Sequence, residues 1–413
     1  MIHSSPSSLL LLPSPPSPLS RTTLNSAYHA PISAAITATS KLSLTLPRPA
    51  VLVIAVATPI LSSSTTTRRL RWEEAQYILA GVYSIIAAVC SELDIACYAD
   101  AGQGSVDARV ILVDHESGKE YTKLPDGSYE NYTTNVLNLA SFASNVAPWV
   151  SIFHPSSEAG YELRGAFLTL AESGRHPIKH EQVVAVPGGL AITSPTTKSD
   201  VKPKTQDNDY NTVCLGGTFD YLHPGHKLLL HATVLLMHLD PSKTSEMIIG
   251  ISVQDLLKNK KFAQELQPWE IRVNNVLRFL STVLNESATT YDAPPAKAVA
   301  ATSEKPAEMQ ATFLGGRVLV RCVELLDPFG PTTEEKDIDA IVVSGETRSG
   351  GKAINDKRTA KDWKPLDVYE IAVLDAKRVT DEEAASTENF AAKISSSAIR
   401  QQRAEARERN TAA

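Results

Sequence analysis

The sequence has few cysteines and no long apolar run. Among 413 residues there are four cysteines, and none forms a C-x-x-C pair, so we expect neither a disulfide framework nor a zinc site. The best candidate membrane segments, residues 9–12 and 50–57, are much shorter than the ~20 apolar residues that a transmembrane helix needs. These absences predict reduced thiols, a cytoplasmic location and no membrane partner.

The first part of the chain lacks acidic residues. No Asp or Glu precedes Glu73, and the head is rich in Ser, Pro and Thr. A secretory signal is excluded because no basic residue precedes the first apolar stretch and Pro15-Pro16 would break its helix. We therefore predict that residues 1–20 are a flexible leader, with a mitochondrial transit peptide as the alternative. Over the whole chain the net charge is −6, which disfavours non-specific binding to nucleic acid.

Two domains of α/β type are predicted, joined by a polar linker. In residues 21–195, helical patterns at 24–46 (interrupted at Pro31) and 73–93 alternate with apolar strand patterns at 50–57 and 108–113. This smaller N-terminal domain shows no catalytic constellation. Residues 196–211 are nearly free of apolar side chains and form the predicted linker.

The second domain, residues 212–409, has a sharper alternation of strands and helices. Strands are predicted at residues 212–215, 247–251, 318–323, 340–343 and 368–374, and helices at 226–239, 269–284 and 350–362. This order predicts a Rossmann-like, doubly wound parallel sheet. The stretch near residues 288–310, rich in Ala, Pro, Thr and Lys, is predicted to be a disordered surface insertion.

The string GGTFDYLHPGH, residues 216–226, falls between a strand and the next helix, where α/β sheets bind ligands. Gly216, Gly217 and Gly225 let the backbone approach a phosphate closely. His223 and His226 are three residues apart and can converge on one phosphate beside a helix N-terminus. Because phosphoryl transfer gathers negative charge on oxygen, such donors would stabilise its transition state.

A second candidate anion site lies at residues 394–400, ISSSAIR. The hydroxyls of Ser395, Ser396 and Ser397 stand at the start of a predicted helix, and Arg400 adds a fixed positive charge one turn later. A serine triplet before a helix is commonly only a cap. In combination with the first string, however, it resembles the nucleotidyltransferase superfamily, which has an H-x-G-H motif and an ISSTxIR-like motif. The resemblance implies that the histidines contact the ATP phosphates and that attack is direct and in line.

Further segments narrow the resemblance. They are GISVQDLLKNKK (250–261), LQPWEIRV (266–273), LLDPFGP (325–331) and VSGETRSGG (343–351). Together these are similar to the eukaryotic-type phosphopantetheine adenylyltransferase family over about residues 212–403. The implied reaction joins AMP from ATP to 4′-phosphopantetheine and releases pyrophosphate.

The resemblance also implies residue roles. Thr218 and a lysine, Lys258 rather than Lys260 or Lys261, would position the attacking phosphate, and Asp327 would contact the phosphopantetheine. The nucleotide would be held by residues of the first string including Phe219, by the serine triplet and Arg400, and by Thr347, Arg348, Asn355 and Arg358. Ser344 stands where bacterial relatives have an arginine, so the phosphopantetheine contacts remain open.

Other partners and alternatives follow from the same motifs. No carboxylate cluster marks a metal site, so Mg²⁺ is expected to arrive bound to ATP. SGETRSGGK is not a P-loop because Gly351 stands where lysine is required, and a fused dephospho-CoA kinase is therefore not expected. A complex with other enzymes of coenzyme A synthesis is expected. The alternatives are a cytidylyltransferase acting on a phospho-alcohol, against which KISSSAIR argues, and a non-catalytic nucleotide-binding scaffold.

Overall fold

The structure, a computed structural model, divides the chain into two units. It describes residues 7–62, 69–123, 129, 134–144, 148–172, 177–190, 210–240, 242–284, 294–303, 305–371 and 395–412. The predicted linker lies outside these residues except for Tyr210 and Asn211. Those two pack in the second unit, where the Tyr210 hydroxyl donates to Asp367 at 2.9 Å.

The first unit is an α/β layer built on one parallel sheet. Its strands are β1 (Ser7–Leu12), β2 (Ala50–Thr58), β3 (Val106–Asp114), β4 (Leu137–Asn138), β5 (Ile152–Pro155) and β6 (Val183–Val186). Its helices are α1 (Arg21–Ser43), α2 (Trp72–Glu92), α3 (Leu139–Ser144) and α4 (Glu158–Ala171). The strands are ordered β4-β3-β2-β1-β5-β6, and every pair is parallel.

The prediction of a flexible leader over residues 1–20 is wrong for its described part. β1 lies inside the sheet, pairs with β2 and β5, and is buried along its whole length. A strand covered on both faces needs a continuous apolar run, and Leu9–Leu12 supplies it. The apolar stretch at residues 9–12, which is too short for a membrane helix, therefore belongs to a core strand.

Two helices of the first unit differ from expectation. α1 continues through Pro31, which does not break the helix. One turn earlier, the carbonyl of Ser26 accepts a hydrogen bond from Leu190 N at 3.0 Å. α2 is long and apolar enough to cross a membrane by length and composition alone, but 67% of its apolar window is buried inside the structure. The helix therefore fits the description of a core helix.

The second unit confirms the predicted doubly wound sheet. Its strands are β7 (Thr212–Gly217), β8 (Ser245–Ser252), β9 (Lys297–Val299), β10 (Glu308–Phe313), β11 (Val318–Leu325), β12 (Ala340–Ser344) and β13 (Asp367–Ile371). The helices are α5 (Pro224–Val234), α6 (Gln254–Leu257), α7 (Trp269–Val283), α8 (Arg348–Ala360) and α9 (Ser396–Ala412). The order is β13-β12-β7-β8-β11-β10-β9, with the first five parallel and the last two antiparallel.

The two antiparallel strands correct the predicted disordered insertion near residues 288–310. Within its described residues, β9 and the start of β10 extend the sheet. β10 is fixed partly by charge, because the guanidinium of Arg321 on β11 binds Glu308 at 2.8 Å. Apolar content alone missed this strand, since only Ala311 and Phe313 are buried in it.

Candidate functional site

The site is built at the carboxyl edge of the second sheet. Because β7, β8, β11 and β12 are parallel, the segments that follow them emerge at one edge. Contacts across the strand ends confirm this, since the Ser252 hydroxyl donates to the Gly217 carbonyl at 3.4 Å. The topology therefore brings together four of the predicted segments.

The two histidines stand where β7 passes into α5. His223 is the residue before the helix, Pro224 opens it, and His223 O accepts a hydrogen bond from Lys227 N at 3.1 Å. A Cβ on Gly225 would lie 3.2 Å from His223 Cε1, so a larger residue would press on the imidazole. The glycine of the motif thus keeps the ring in place.

The imidazoles are stacked and electrically neutral at neutral pH. Their ring centroids are 3.9 Å apart with an interplanar angle of 25°, and the buried Phe219 ring lies 5.3 Å from His226. Desolvation and the nearby Lys227 lower the pKa of His223 to about 3. Desolvation, then His223, Arg272 and Arg400, hold the pKa of His226 well below its usual range.

His226 Nδ1 is buried and has no hydrogen-bond partner among the described residues. Such an atom costs free energy until something binds it. Neutral imidazoles that offer N–H donors next to a helix N-terminus can bind phosphate oxygens. An approaching phosphate would raise both pKa values, because an opposite charge favours protonation.

The second anion motif is joined to the first by a buried ion pair. Arg400 Nη1 lies 2.7 Å from Asp220 Oδ2, and the two side chains are 2% and 0% exposed. Arg400 also donates to Lys261 O at 3.0 Å and to Ser397 Oγ at 3.1 Å. Burial raises the pKa of Asp220, while the Gln267 amide and Arg400 oppose that shift. Arg400 therefore ties the first turn of α9 to the histidine loop and to the lysine segment.

The three serines of the second motif make different contacts. Ser395 Oγ accepts from Ala398 N at 3.3 Å, which caps α9. Ser396 donates to Asp220 O at 3.0 Å, so the helix N-terminus is fixed against the first loop. Exposed Ser397 and the amides of the first turn of α9 remain at the edge of the sheet.

Arg272 was missed by sequence reasoning. It is buried in the first turn of α7, where its Nη1 donates to Thr218 O at 2.7 Å and to Ser252 O at 2.9 Å. One guanidinium therefore fixes the ends of β7 and β8 relative to each other. The available signal was an arginine in the quoted LQPWEIRV segment, on the side of an amphipathic helix that packs inward.

The lysine cluster follows β8 and α6. Lys258, Lys260 and Lys261 are exposed, and the backbone of Lys261 is held by Arg400. The structure places all three lysines in the segment next to the histidine loop and does not choose among them. Asp327, after β11, reaches the same edge, but one carboxylate oxygen accepts from Phe329 N and Gly330 N at 2.6 and 2.9 Å, which closes a turn.

The segment after β12 brings Thr347 and Arg348 to the edge. Thr347 Oγ1 accepts from Ser344 N at 3.0 Å, and exposed Arg348 donates through Nε to Glu370 at 2.6 Å. Gly345 stands beside them in the same turn.

Arg358 does not belong to the site, and its prediction as a nucleotide ligand is wrong. Its guanidinium is fully buried and donates to the backbone carbonyls of Thr332, Glu335, Lys336, Ile338 and Lys364. Those carbonyls precede β12 and β13, at the opposite edge of the sheet. Asn355 is likewise structural, because its amide pairs with the backbone of Leu366 at 2.8 and 2.9 Å.

The imidazoles and helix-terminal amides described above are groups that can bind phosphate oxygens. Within the described ranges, no group of three or more His, Cys, Asp or Glu side chains could hold a metal ion. Asp220, a buried carboxylate in the same loop as His223, is already paired with Arg400.

In comparisons with known proteins, two family models match this chain, each over a different part of it. Residues 1–192 match a family model described as "Domain of unknown function (DUF8446)", and residues 214–402 match one described as "Cytidylyltransferase-like". A phosphopantetheine adenylyltransferase of Saccharomyces cerevisiae is 30% identical over 167 residues, 40% of this chain and 43% of that protein. The chain thus spans less than half the length of this relative.

Archaeal proteins and one solved structure are also similar. Phosphopantetheine adenylyltransferases of Thermococcus kodakarensis and Pyrococcus horikoshii are each 27% identical, over 40% and 46% of this chain and 76% and 89% of their own lengths. A crystal structure of a protein with unknown function from Archaeoglobus fulgidus is 22% identical, with a TM-score of 0.27, over 40% of this chain and 90% of that one. Residues 214–402 are thus similar to cytidylyltransferase-like nucleotidyltransferases and, among them, to phosphopantetheine adenylyltransferases.

Proposed function

We propose that the second unit transfers AMP from ATP to 4′-phosphopantetheine, giving dephospho-CoA and pyrophosphate. The observation that carries this proposal is the pair of stacked, neutral imidazoles at the start of α5, beside the lysine segment and the N-terminus of α9. The relatives named phosphopantetheine adenylyltransferase support the choice of substrates.

In the proposed step, a phosphate oxygen of 4′-phosphopantetheine attacks the α-phosphorus of ATP. A P–O bond forms there as the bond to the β-phosphate oxygen breaks, and pyrophosphate leaves with that electron pair. Charge accumulates on the α-phosphate oxygens, where His223 and His226 would donate N–H groups. No covalent enzyme intermediate is needed.

Other groups would hold the reactants. Lys258 and Thr218 would position the attacking phosphate, since an ammonium and a hydroxyl can donate hydrogen bonds to its oxygens. The first-turn amides of α9 would receive the β- and γ-phosphates. Mg²⁺ bound to the ATP phosphates would neutralise part of the leaving-group charge.

The test measures pyrophosphate release with ATP or CTP, each paired with 4′-phosphopantetheine or phosphocholine. We expect release only from ATP with 4′-phosphopantetheine. His226→Ala should lower kcat by about 10²- to 10³-fold, the cost of one oxyanion donor, without changing the far-ultraviolet circular dichroism. His238→Ala removes an imidazole near the opposite edge of the sheet and serves as the matched control.

Each contrary result has a meaning. Release only with CTP and phosphocholine would support a cytidylyltransferase, and no release with any pair would support a nucleotide-binding scaffold. Near-normal turnover by His226→Ala would contradict the assigned role of the histidines.

A further inference from the structure

The first unit has a cavity at the switch point of its sheet. The chain runs from β1 outward through β2, β3 and β4, and then returns to place β5 and β6 on the other side of β1. In open α/β sheets, ligands bind outside the carboxyl ends of the strands where the order reverses. Here that point lies between β1 and β5.

A cavity of about 860 Å³ occupies this position. Its walls come from the residues that end or follow β1, β2 and β3, and from α4, which follows β5. Small-molecule sites commonly enclose ~300–1,000 Å³ and combine apolar walls with a few polar groups. The cavity has the size, the place in the fold and the mixed lining of a ligand site.

An apolar wall and an aromatic wall face the cavity. Leu163, Ala166 and Leu170 of α4 form the apolar wall. The aromatic wall is a stacked pair, in which His115 Nδ1 lies 2.6 Å from the Tyr121 hydroxyl. Desolvation and Lys119 lower the pKa of His115, so its ring adds no positive charge at neutral pH. The cavity therefore offers an apolar face and an aromatic face to a ligand.

The charge of the lining disfavours a phosphate. Among its described lining residues Lys119 is the one lysine, and its ammonium is paired at 2.7 Å with the buried carboxylate of Asp114. Glu116, Glu120 and Glu162 also line the cavity, and none of them forms an ion pair with another described residue; Glu162 accepts a hydrogen bond from Ser117 Oγ at 3.2 Å. The uncompensated charge is therefore negative and attracts cations.

The loop after β1 disfavours a phosphate as well. In sheets that bind dinucleotides, this loop is glycine-rich and its N–H groups approach the pyrophosphate. Here Leu12 is followed by Pro13-Ser14-Pro15-Pro16, and proline has no N–H to donate. A ligand at this switch point would therefore need a chemistry other than that of a pyrophosphate.

We propose that this cavity binds a small organic cation, a protonated amine on an aromatic body. The ring lies between α4 and the His115–Tyr121 pair, and the ammonium faces the carboxylates, with Glu162 nearest the apolar wall. This site is independent of the function proposed for the second unit.

The test uses three indole probes of nearly equal size and different charge: tryptamine (cation), tryptophol (neutral) and indole-3-acetate (anion). Isothermal titration calorimetry on the full chain should show tryptamine binding about tenfold more tightly than tryptophol, and indole-3-acetate most weakly. The preference for tryptamine should decrease as salt is added. Equal affinity for the three probes, or no binding of any of them, would overturn the proposal.

Two variants locate the binding. Glu162→Gln should reduce the preference for tryptamine over tryptophol, whereas Glu172→Gln, just beyond the same helix and outside the cavity lining, should leave it unchanged. Ala166→Trp places an indole on the apolar wall, where the ring of the probe would lie, and should abolish binding of all three probes. Undiminished tryptamine binding by a folded Ala166→Trp, or an unchanged preference in Glu162→Gln, would contradict this location. Because Glu162 is exposed, its variant remains informative even if Ala166→Trp does not fold.

Discussion

The buried ion pair between Asp220 and Arg400 gives the sharpest prediction about how the second unit is held together. Arg400→Ala removes a guanidinium that is 2% exposed and leaves the fully buried Asp220 carboxylate without its charge partner. Breaking such a pair from one side costs about 3–5 kcal/mol, because the remaining charge stays desolvated. The lost bonds to Lys261 O and Ser397 Oγ would also release the lysine segment and the first turn of α9.

The same substitution separates two roles for Arg400. A residue that positions the loops lowers the free energy of unfolding and kcat together, whereas a simple phosphate ligand raises KM for ATP and leaves stability unchanged. Urea denaturation of Arg400→Ala, Asp220→Asn and the double variant measures the coupling. We expect the double variant to be more stable than the sum of the single losses predicts, by at least about 1 kcal/mol.

Additive losses in this cycle would refute the reasoning. So would an Arg400→Ala protein of wild-type stability whose only defect is a raised KM for ATP. Arg403→Ala, one turn further along α9, is the matched control, since its guanidinium lies over the Tyr221 ring at 5.3 Å and does not reach Asp220 in the described contacts.

Three further predictions concern other residues. Arg272→Lys keeps the charge but cannot bridge Thr218 O and Ser252 O. In steady-state assays of pyrophosphate release, kcat should therefore fall about tenfold with little change in KM. An unchanged kcat would refute the positioning role of Arg272. Arg358→Met should lower the free energy of unfolding by about 3 kcal/mol or more, because buried carbonyls lose their donors, while KM for ATP is unchanged at a temperature where the variant is folded. Since the folded-state pKa of His223 is depressed to about 3, its stabilising contribution is present above about pH 6.5 and is lost as pH falls toward 3. His223→Asn should therefore flatten the pH dependence of the free energy of unfolding, measured by urea denaturation between about pH 6.5 and 4. The slope should change by at most about 1.4 kcal/mol per pH unit, and by less because solvent screens the half-buried ring. An unchanged slope would contradict this prediction.

Much of the second unit follows from local sequence. Continuous β-branched runs predict β12 and the core of β8, and the step from glycine to Pro224 predicts the strand-to-helix turn that carries the histidines. These signals are short-range, so they survive without knowledge of the tertiary structure. The antiparallel β10 does not follow, because its partner, its register and the Arg321–Glu308 pair are all non-local.

Motif matching assigns roles without distances, which explains the error at Arg358. Arg348 and Arg358 lie on one helix, and at 1.5 Å per residue the second is roughly 15 Å further along the axis, at the other edge of the sheet. The position of β1 was hidden for a related reason. Its run of leucines is so short that it resembles part of a leader, and only the pairing with β2 and β5 shows that the strand lies inside the sheet.

The most direct test of the central claim is the identity of the product. The purified chain is incubated with ATP, Mg²⁺ and 4′-phosphopantetheine, and the reaction is analysed by mass spectrometry beside the same reaction with His226→Ala. We expect dephospho-CoA and pyrophosphate in equal amounts from the wild-type protein, and a yield lower by two orders of magnitude or more from the variant. No dephospho-CoA from the folded wild-type protein, or equal yields from both proteins, would contradict it.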